Sequence, residues 1–308
     1  MDDETESSSR SQGLTATLDV AGDAAVNGIE CSLRCHIGGV RTENQDRVGR
    51  SVISHGELVV VADGVGGGAG GALAATIAVE EYVKLRLESE EEPESALRRV
   101  TKEINRRIAA LRQHDPALSG MASTVALVLI QERTLYAGHL GDSRVYLGHA
   151  GVMRLLTRDH SVVRRMVDDG IITEEEARTH PSGHILSQSL GQEGAELEVS
   201  AVELETGDTV LICSDGLWAY VAERNLAEAL TSADLNVAVA ADALLDQALA
   251  AGAPDNISVA LLRIGLVRPV VALPVLKTKT SSTRRTVLIV CALILVVVIV
   301  WLLAQTQH

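Results

Sequence analysis

The chain has 308 residues and is 46% hydrophobic, enough for the core of one large domain or two small ones. Its net charge is −14, and aromatic residues make up 2%, with no phenylalanine. These values argue against a nucleic-acid partner, which would need clustered Lys and Arg and aromatic stacking platforms. The core must therefore be built from Val, Leu, Ile and Ala.

Residues 1–28 start acidic and Ser-rich and contain no apolar stretch of the kind a signal peptide needs. They are expected to be disordered, with the folded domain beginning at residue 29. Strand-like runs follow near 31–38, 48–54 and 57–62. Residues 71–87 have helical composition. A second helix is predicted over 94–114, where Leu97, Val100, Ile104 and Ile108 recur at helical spacing. Strand pairs are predicted at 123–130 with 134–141 and at 144–148 with 152–156, each joined by a short polar or glycine-containing turn. In "TEEEARTH", Thr173 and Glu176 form a capping-box pattern for a short helix. Strands over 197–204 and 208–213 flank "ETGD". A last helix covers 236–251 and a last strand 257–264. Hairpins dominate and the helices fall in two blocks, which predicts an α+β fold with antiparallel sheets and not a regular β-α-β alternation.

The four cysteines are Cys31, Cys35, Cys213 and Cys291. Their spacing matches neither a zinc site nor a disulfide framework, and reduced thiols in a cytosolic domain are the simplest reading. Residues 287–304, "VLIVCALILVVVIVWLLA", are 18 uncharged apolar residues. As a helix they would span roughly 27 Å, about the thickness of one bilayer core. Lys277, Lys279, Arg284 and Arg285 precede them, so the expectation is a single C-terminal transmembrane helix with the domain on the cytoplasmic side. Residues 267–286 form the linker and 305–308 a short tail.

The stretch "LVVVADGVGGGAGGALAATIAVEEYV" poses the functional question. Gly66, Gly68 and Gly71 satisfy G-x-G-x-x-G between a predicted strand and a predicted helix, as a dinucleotide loop would. A Walker A loop is excluded because no Lys-Ser or Lys-Thr follows. Neither nucleotide reading accounts for Asp63 at the strand end, where a carboxylate would repel a pyrophosphate but suit a hard cation. The pattern recurs at Asp142 in "GHLGDSRVYL", at Asp215 in "LICSDGLW" and at Asp255 in "GAPDNISV", while Asp46 lies five residues after Arg41 in "RTENQD". Strand ends can converge on one sheet edge, and carboxylates gathered there repel one another unless a cation compensates them.

In order along residues 30–265 stand "RTENQD", "ADGVGG", "GDSRVY", "RDHS", "LSQSLG", "CSDGLW" and "PDNISV". The set resembles the metal-dependent protein serine/threonine phosphatases of the type 2C class, in their bacterial form. That resemblance implies a four-layer α-β-β-α sandwich of two antiparallel sheets flanked by helices. It implies two Mn²⁺ or Mg²⁺ ions, with a possible third, and a water bridging the two ions as the attacking group. By the same resemblance Asp63 would bridge the ions, the Gly64 carbonyl would ligate one, and Asp46 would act directly or through water. Asp215 and Asp255 would hold the other ion, Asp142 would serve the third, and Arg41 would bind the substrate phosphate. Residues 162–184 align with the flap beside the active site. Two positions depart from the family pattern: Val65 stands where many eukaryotic relatives carry a histidine proposed as general acid, and Gln45 where some members carry Glu.

The expected function is hydrolysis of phosphoserine and phosphothreonine on proteins, opposing Ser/Thr kinases and acting on their substrates at the membrane face, with no nucleic-acid or nucleotide partner. Two alternatives stay open at this level. One is a pseudophosphatase that binds without turnover. The other is a phosphatase of a single phosphorylated regulator.

Overall fold

The computed structural model describes residues 21–26, 28–53, 56–66, 69–88, 90–232 and 236–265. All of them lie in the first of the two units into which the chain divides, residues 1–269. The predicted transmembrane segment 287–304 and its linker lie outside the described residues. Among the described residues no helix is long and apolar enough to cross a membrane.

In chain order the strands β1 (Ala21–Val26), β2 (Ile29–His36), β3 (Arg47–Ile53), β4 (Gly56–Ala62) and the short β5 (Gly64–Val65) come first. The helices α1 (Ala69–Val83) and α2 (Pro93–His114) follow. Next are β6 (Ala122–Ser123), β7 (Val125–Gln131), β8 (Thr134–Leu140), β9 (Arg144–His149) and β10 (Val152–Leu155). Two short helices, α3 (Val162–Asp168) and α4 (Glu174–Arg178), precede β11 (Glu198–Glu203) and β12 (Thr209–Cys213). The chain then forms α5 (Asp215–Trp218), α6 (Glu223–Thr231), α7 (Val237–Ala250) and β13 (Ile257–Ile264).

One sheet has the order β1-β2-β13-β12-β9-β10 and the other β11-β8-β7-β4-β3, with β5 and β6 forming a small ribbon. Every pairing is antiparallel. The layers follow from the period-2 alternation of side chains. Along β4, Val59 and Val61 meet Val145, Val210, Ile212 and Ala260 of the other sheet. The alternate residues Leu58, Val60 and Ala62 pack under α1 and α2, against Ile77, Tyr82, Leu97 and Ile104. The outer face of the first sheet is covered by α5, α6 and α7, where Leu211, Val259 and Leu261 meet Leu217, Leu226 and Leu244. The result is the α-β-β-α sandwich. β4 is buried at every position because both of its faces are covered.

The start of the domain departs from the sequence reading. The sequence alone assigns residues 21–26 to a disordered N-terminus, yet they form β1, in register with β2 from Ala21↔Arg34 to Val26↔Ile29. Small residues give "AGDAAV" a weak strand signal of its own. Its fixing comes from a distant contact: Asp23 accepts hydrogen bonds from Ser32 Oγ (2.6 Å) and Arg34 Nη1 (2.9 Å). The Thr173 capping box is present: its hydroxyl accepts from Glu176 N (3.2 Å) and its own N–H donates to Glu176 Oε2 (2.7 Å).

The register positions the site. Arg47 of β3 faces Ala62 of β4, Val61 faces Ala126 of β7, and Val125 faces Leu140 of β8. In the other sheet Arg144 of β9 faces Cys213 of β12, which faces Val259 of β13, while Ile257 faces His36 of β2. The turns bearing Asp46, Asp63, Asp142, Asp215 and Asp255 therefore all emerge at the same end of the two sheets.

Candidate functional site

Asp46, immediately before β3, is buried, and its N–H donates to Asn44 Oδ1 (3.1 Å). Ser214 Oγ donates to Asp46 Oδ2 at 2.8 Å, joining the start of β3 to the end of β12. Asp63, just past β4, is clamped through its backbone: its N–H donates to Thr124 Oγ1 (3.2 Å) and its carbonyl accepts from Thr124 N (2.8 Å) and Ser123 Oγ (2.9 Å). The next residue must be glycine. A Cβ on Gly64 would lie 2.3 Å from the Gly71 carbonyl oxygen in the first turn of α1. This close approach, with Gly64 N donating to Gln45 O (3.2 Å), sets Asp63 beside Asp46.

Asp142 sits in the turn where the chain passes from β8 to β9 and so from one sheet to the other. Trp218 Nε1 donates to its carbonyl (3.0 Å), and the neighbouring Ser143 Oγ shares a 2.7 Å hydrogen bond with Thr124 Oγ1, the group that also holds Asp63. Arg144 lies over the Trp218 ring, 3.5 Å from its centre, and donates from Nε and Nη2 to Asp159 (2.9 and 2.7 Å). Asp215 opens α5. Gly216 lets it approach β13, since a Cβ there would meet Asn256 O at 1.9 Å. Asp255 accepts from Asn256 N at Oδ1 and from Arg41 Nη2 at Oδ2, both at 2.8 Å. Asn256 laces the β2–β3 loop to this edge by donating to Ile37 O (2.8 Å) and Glu43 O (3.0 Å) and accepting from Gln45 N (2.8 Å).

The five carboxylates feel one another. Burial pushes Asp63 well above the usual carboxylate range, and repulsion from Asp46, Asp215, Asp142 and Asp255 adds to it. Asp46 is pushed up to about 7 by burial, opposed by hydrogen bonds from Ser214 and Ser258 and helped by Asp215 and Asp255. Asp215 rises to about 6, again through burial and then Asp255. Burial raises Asp142 strongly, with Asp215 next in importance. Asp46 Oδ1 and Asp215 Oδ1 are buried and have no hydrogen-bond partner among the described residues. Buried oxygens without donors, in a group of acids that cannot all ionise together, are the donor set a hard divalent cation satisfies. Arg41 alone does not balance it: its side chain is half exposed, and among the described residues it bonds only Asp255.

Every carboxylate singled out from the sequence, with Gly64 and Arg41, thus belongs to one edge. The residues that fasten them were not singled out: Thr124, Ser143, Ser214, Asn256 and Trp218. Within the sequence, "ASTVAL" and "ICSDGLW" do carry the relevant hydroxyls and indole next to apolar strands. No local pattern tells such a clamp from an ordinary polar residue.

Residues 39–251 match the family described as Protein phosphatase 2C. The chain is 33% identical over 241 residues to the serine/threonine phosphatase stp of Listeria monocytogenes, covering 76% of this chain and 95% of that protein. Among solved structures it is similar to the Mycobacterium tuberculosis serine/threonine phosphatase PstP/Ppp, with a TM-score of 0.71, 32% identity, and coverage of 77% of this chain and 99% of that one. It is also similar to the catalytic domain of the phosphatase PstP in complex with two manganese ions, with a TM-score of 0.69, 32% identity, and coverage of 77% and 98%. The chain belongs to the protein phosphatase 2C family and is an enzyme of the serine/threonine phosphatase class.

Proposed function

We propose that this protein hydrolyses phosphoserine and phosphothreonine esters on proteins, using Mn²⁺ or Mg²⁺ held at the shared end of the two sheets. The observation that carries the reading is the gathering of five mutually repelling carboxylates, with buried oxygens on Asp46 and Asp215 left without a partner. In this reading Asp63, Asp46 and the Gly64 carbonyl would help hold one ion, and Asp63, Asp215 and Asp255 another. Asp142 serves a third. The ions would supply an activated water and charge neutralisation for the phosphoryl oxygens.

The chain's own contribution is placement. Thr124 holds the backbone of Asp63 from both its N–H and its carbonyl and shares its hydroxyl with Ser143, so the Asp63 and Asp142 turns are fixed to each other. Arg41 stands at the rim, where its planar fork suits a phosphate monoester, and its bond to Asp255 orients the side chain before substrate arrives. With Val65 where many eukaryotic relatives carry a histidine, the proton for the departing serine or threonine oxygen must come from water or another residue.

The segment 287–304 is proposed to tether the enzyme to the cytoplasmic membrane face, where Ser/Thr kinases and their substrates would be its opponents. Its uncharged length and the basic residues before it support that reading. Full-length protein should partition with membranes, and a chain ending at residue 286 should not. Equal partitioning of the two would refute the tether.

The function itself is tested by p-nitrophenyl phosphate and phosphothreonine-peptide hydrolysis with EDTA, Mg²⁺ or Mn²⁺, repeated with Asp63→Ala and Asp215→Ala. Turnover should require the metal and vanish in both variants. A folded protein that binds metal but turns over neither substrate would refute the reading in favour of a binding role.

A further inference from the structure

Behind the Asp142 turn lies a second titratable group that the phosphatase reading does not use. His139 on β8 and His160, which follows β10, are both buried, and their rings tilt against each other with centres 4.6 Å apart. Glu198 opens β11 in register with His139. Its Oε1 lies 3.1 Å from His160 Nε2 and its Oε2 3.8 Å from His139 Nε2. Two histidines and a carboxylate are a zinc donor set. Both rings, however, are already committed to the backbone. His139 Nε2 bonds the Arg158 carbonyl at 2.8 Å, and His160 Nδ1 accepts from Gly141 N at 3.3 Å. An ion ligated at His160 Nε2 would put the ring proton on Nδ1, so loading an ion there would break backbone bonds on both histidines.

The backbone of His160 points to a different role. Its N–H donates to Gly141 O (2.8 Å), so residue 160 holds both the N–H and the carbonyl of Gly141, one residue before Asp142. Its carbonyl accepts from Ser187 N (2.8 Å). The adjoining Ser161 bridges Leu186, and Val162 N donates to Ile185 O (2.8 Å). Residues 161–162 and 185–187 are thus the two ends of the 162–184 segment, stitched together at His160. We propose that His160 is a positioning residue that couples the stem of this segment to the Asp142 turn. Release of the stem would loosen Asp142, and seating it would fix the carboxylate. The inference rests on the reading that Asp142 belongs to the metal-holding edge.

The test compares His160→Asn, which keeps an acceptor where Nδ1 stands, with His160→Gln, which reaches instead to the Nε2 position. Asp142→Asn and the His160→Gln/Asp142→Asn double variant complete a cycle. The readouts are hydrogen exchange of the metal-free full-length protein, calorimetric Mn²⁺ binding, and KM for p-nitrophenyl phosphate. His160→Gln should speed exchange at Gly141 and 185–187 and weaken Mn²⁺ binding, each by about five-fold, the size of one net hydrogen bond. KM should stay unchanged, His160→Asn should stay near wild type, and the double variant should be no worse than Asp142→Asn. Equal effects of Asn and Gln, or additive losses in the double variant, would overturn the coupling. So would stoichiometric Zn²⁺ binding abolished in both His160 variants, which would make the imidazole a ligand. Asp142→Asn with wild-type Mn²⁺ binding would overturn the role given to Asp142, and the inference with it, even if His160→Gln had an effect.

Discussion

The β3–β4 hairpin carries buried acid at both of its ends, and the two ends treat it in opposite ways. At the start of β4, Glu57 is fully buried and paired with buried Arg50 across the hairpin at 2.6 Å. Burial raises Glu57, and Arg50 opposes the rise through a hydrogen bond and its charge. At the other end, seven residues and roughly 20 Å along β4, Asp46 and Asp63 join Asp142, Asp215 and Asp255. There the neighbours are mostly further carboxylates, and they add to the rise. The same strands thus support an acid balanced by protein and an acid cluster that protein leaves unbalanced. In the first setting the partner offsets part of the cost of burying the charge. In the second the imbalance is stability given up for a cation.

Removing a carboxylate at the unbalanced end should have the largest functional effect. Asp63→Ala or Asp215→Ala is expected to lower Mn²⁺-dependent turnover by at least about 10³-fold, because the lost group acts on every ion-held atom of the reaction. Steady-state kinetics at saturating Mn²⁺ would measure it, with circular dichroism confirming that the variants fold. At the balanced end the effect should fall on stability. Glu57→Ala leaves Arg50 buried and unpaired and should cost about 3–5 kcal/mol in urea unfolding, while replacing both residues by Leu and Met should recover much of the loss.

The contrast also has a pH signature. Asp46 and Asp215, at about 7 and about 6 in the folded metal-free protein, keep their protons where the unfolded chain has released them. The folded state therefore binds more protons between roughly pH 4 and pH 7, and the stability of the metal-free protein should fall as pH rises through that window. Mn²⁺ binding expels those protons, so the stabilisation it provides should grow over the same range. Melting curves from pH 4.5 to 7.5, with EDTA and with Mn²⁺, should converge at the acid end and separate toward neutrality. Parallel curves would count against a carboxylate-held cation. The smallest effect is expected at the half-exposed Arg41. Arg41→Ala should raise KM for a phosphopeptide by about ten-fold, with a lesser change at saturating substrate, because the contact is a solvent-screened rim interaction.

The two ends were not equally legible in the sequence. Asp63-Gly64 and Asp215-Gly216 stand at the ends of apolar runs, and antiparallel pairing can bring such strand ends to one edge, while the roles of the individual carboxylates came from the family resemblance. The amphipathic spacing of Leu97, Val100, Ile104 and Ile108 likewise marked α2 and its buried face. The Arg50–Glu57 pair gave no such sign: charged residues in "VGRSVISHGELVVV" read as solvent-facing until both faces of the hairpin are known to be covered. Strand β1 was hidden because its anchor, Arg34, belongs to another strand. The clamp of Thr124 and Ser143 and the pairing of His139 with His160 arise only when the chain crosses from one sheet to the other.

This edge is destabilised until a cation fills it, and Asp63→Asn tests that most directly through thermal unfolding with EDTA and with Mn²⁺. Replacing a carboxyl whose ionisation its surroundings oppose by an amide of the same shape should raise the melting temperature in EDTA at pH 7.5 and abolish the upward shift that Mn²⁺ gives the wild-type protein. A variant that melts lower in EDTA, or that keeps the full Mn²⁺ shift, would contradict the claim.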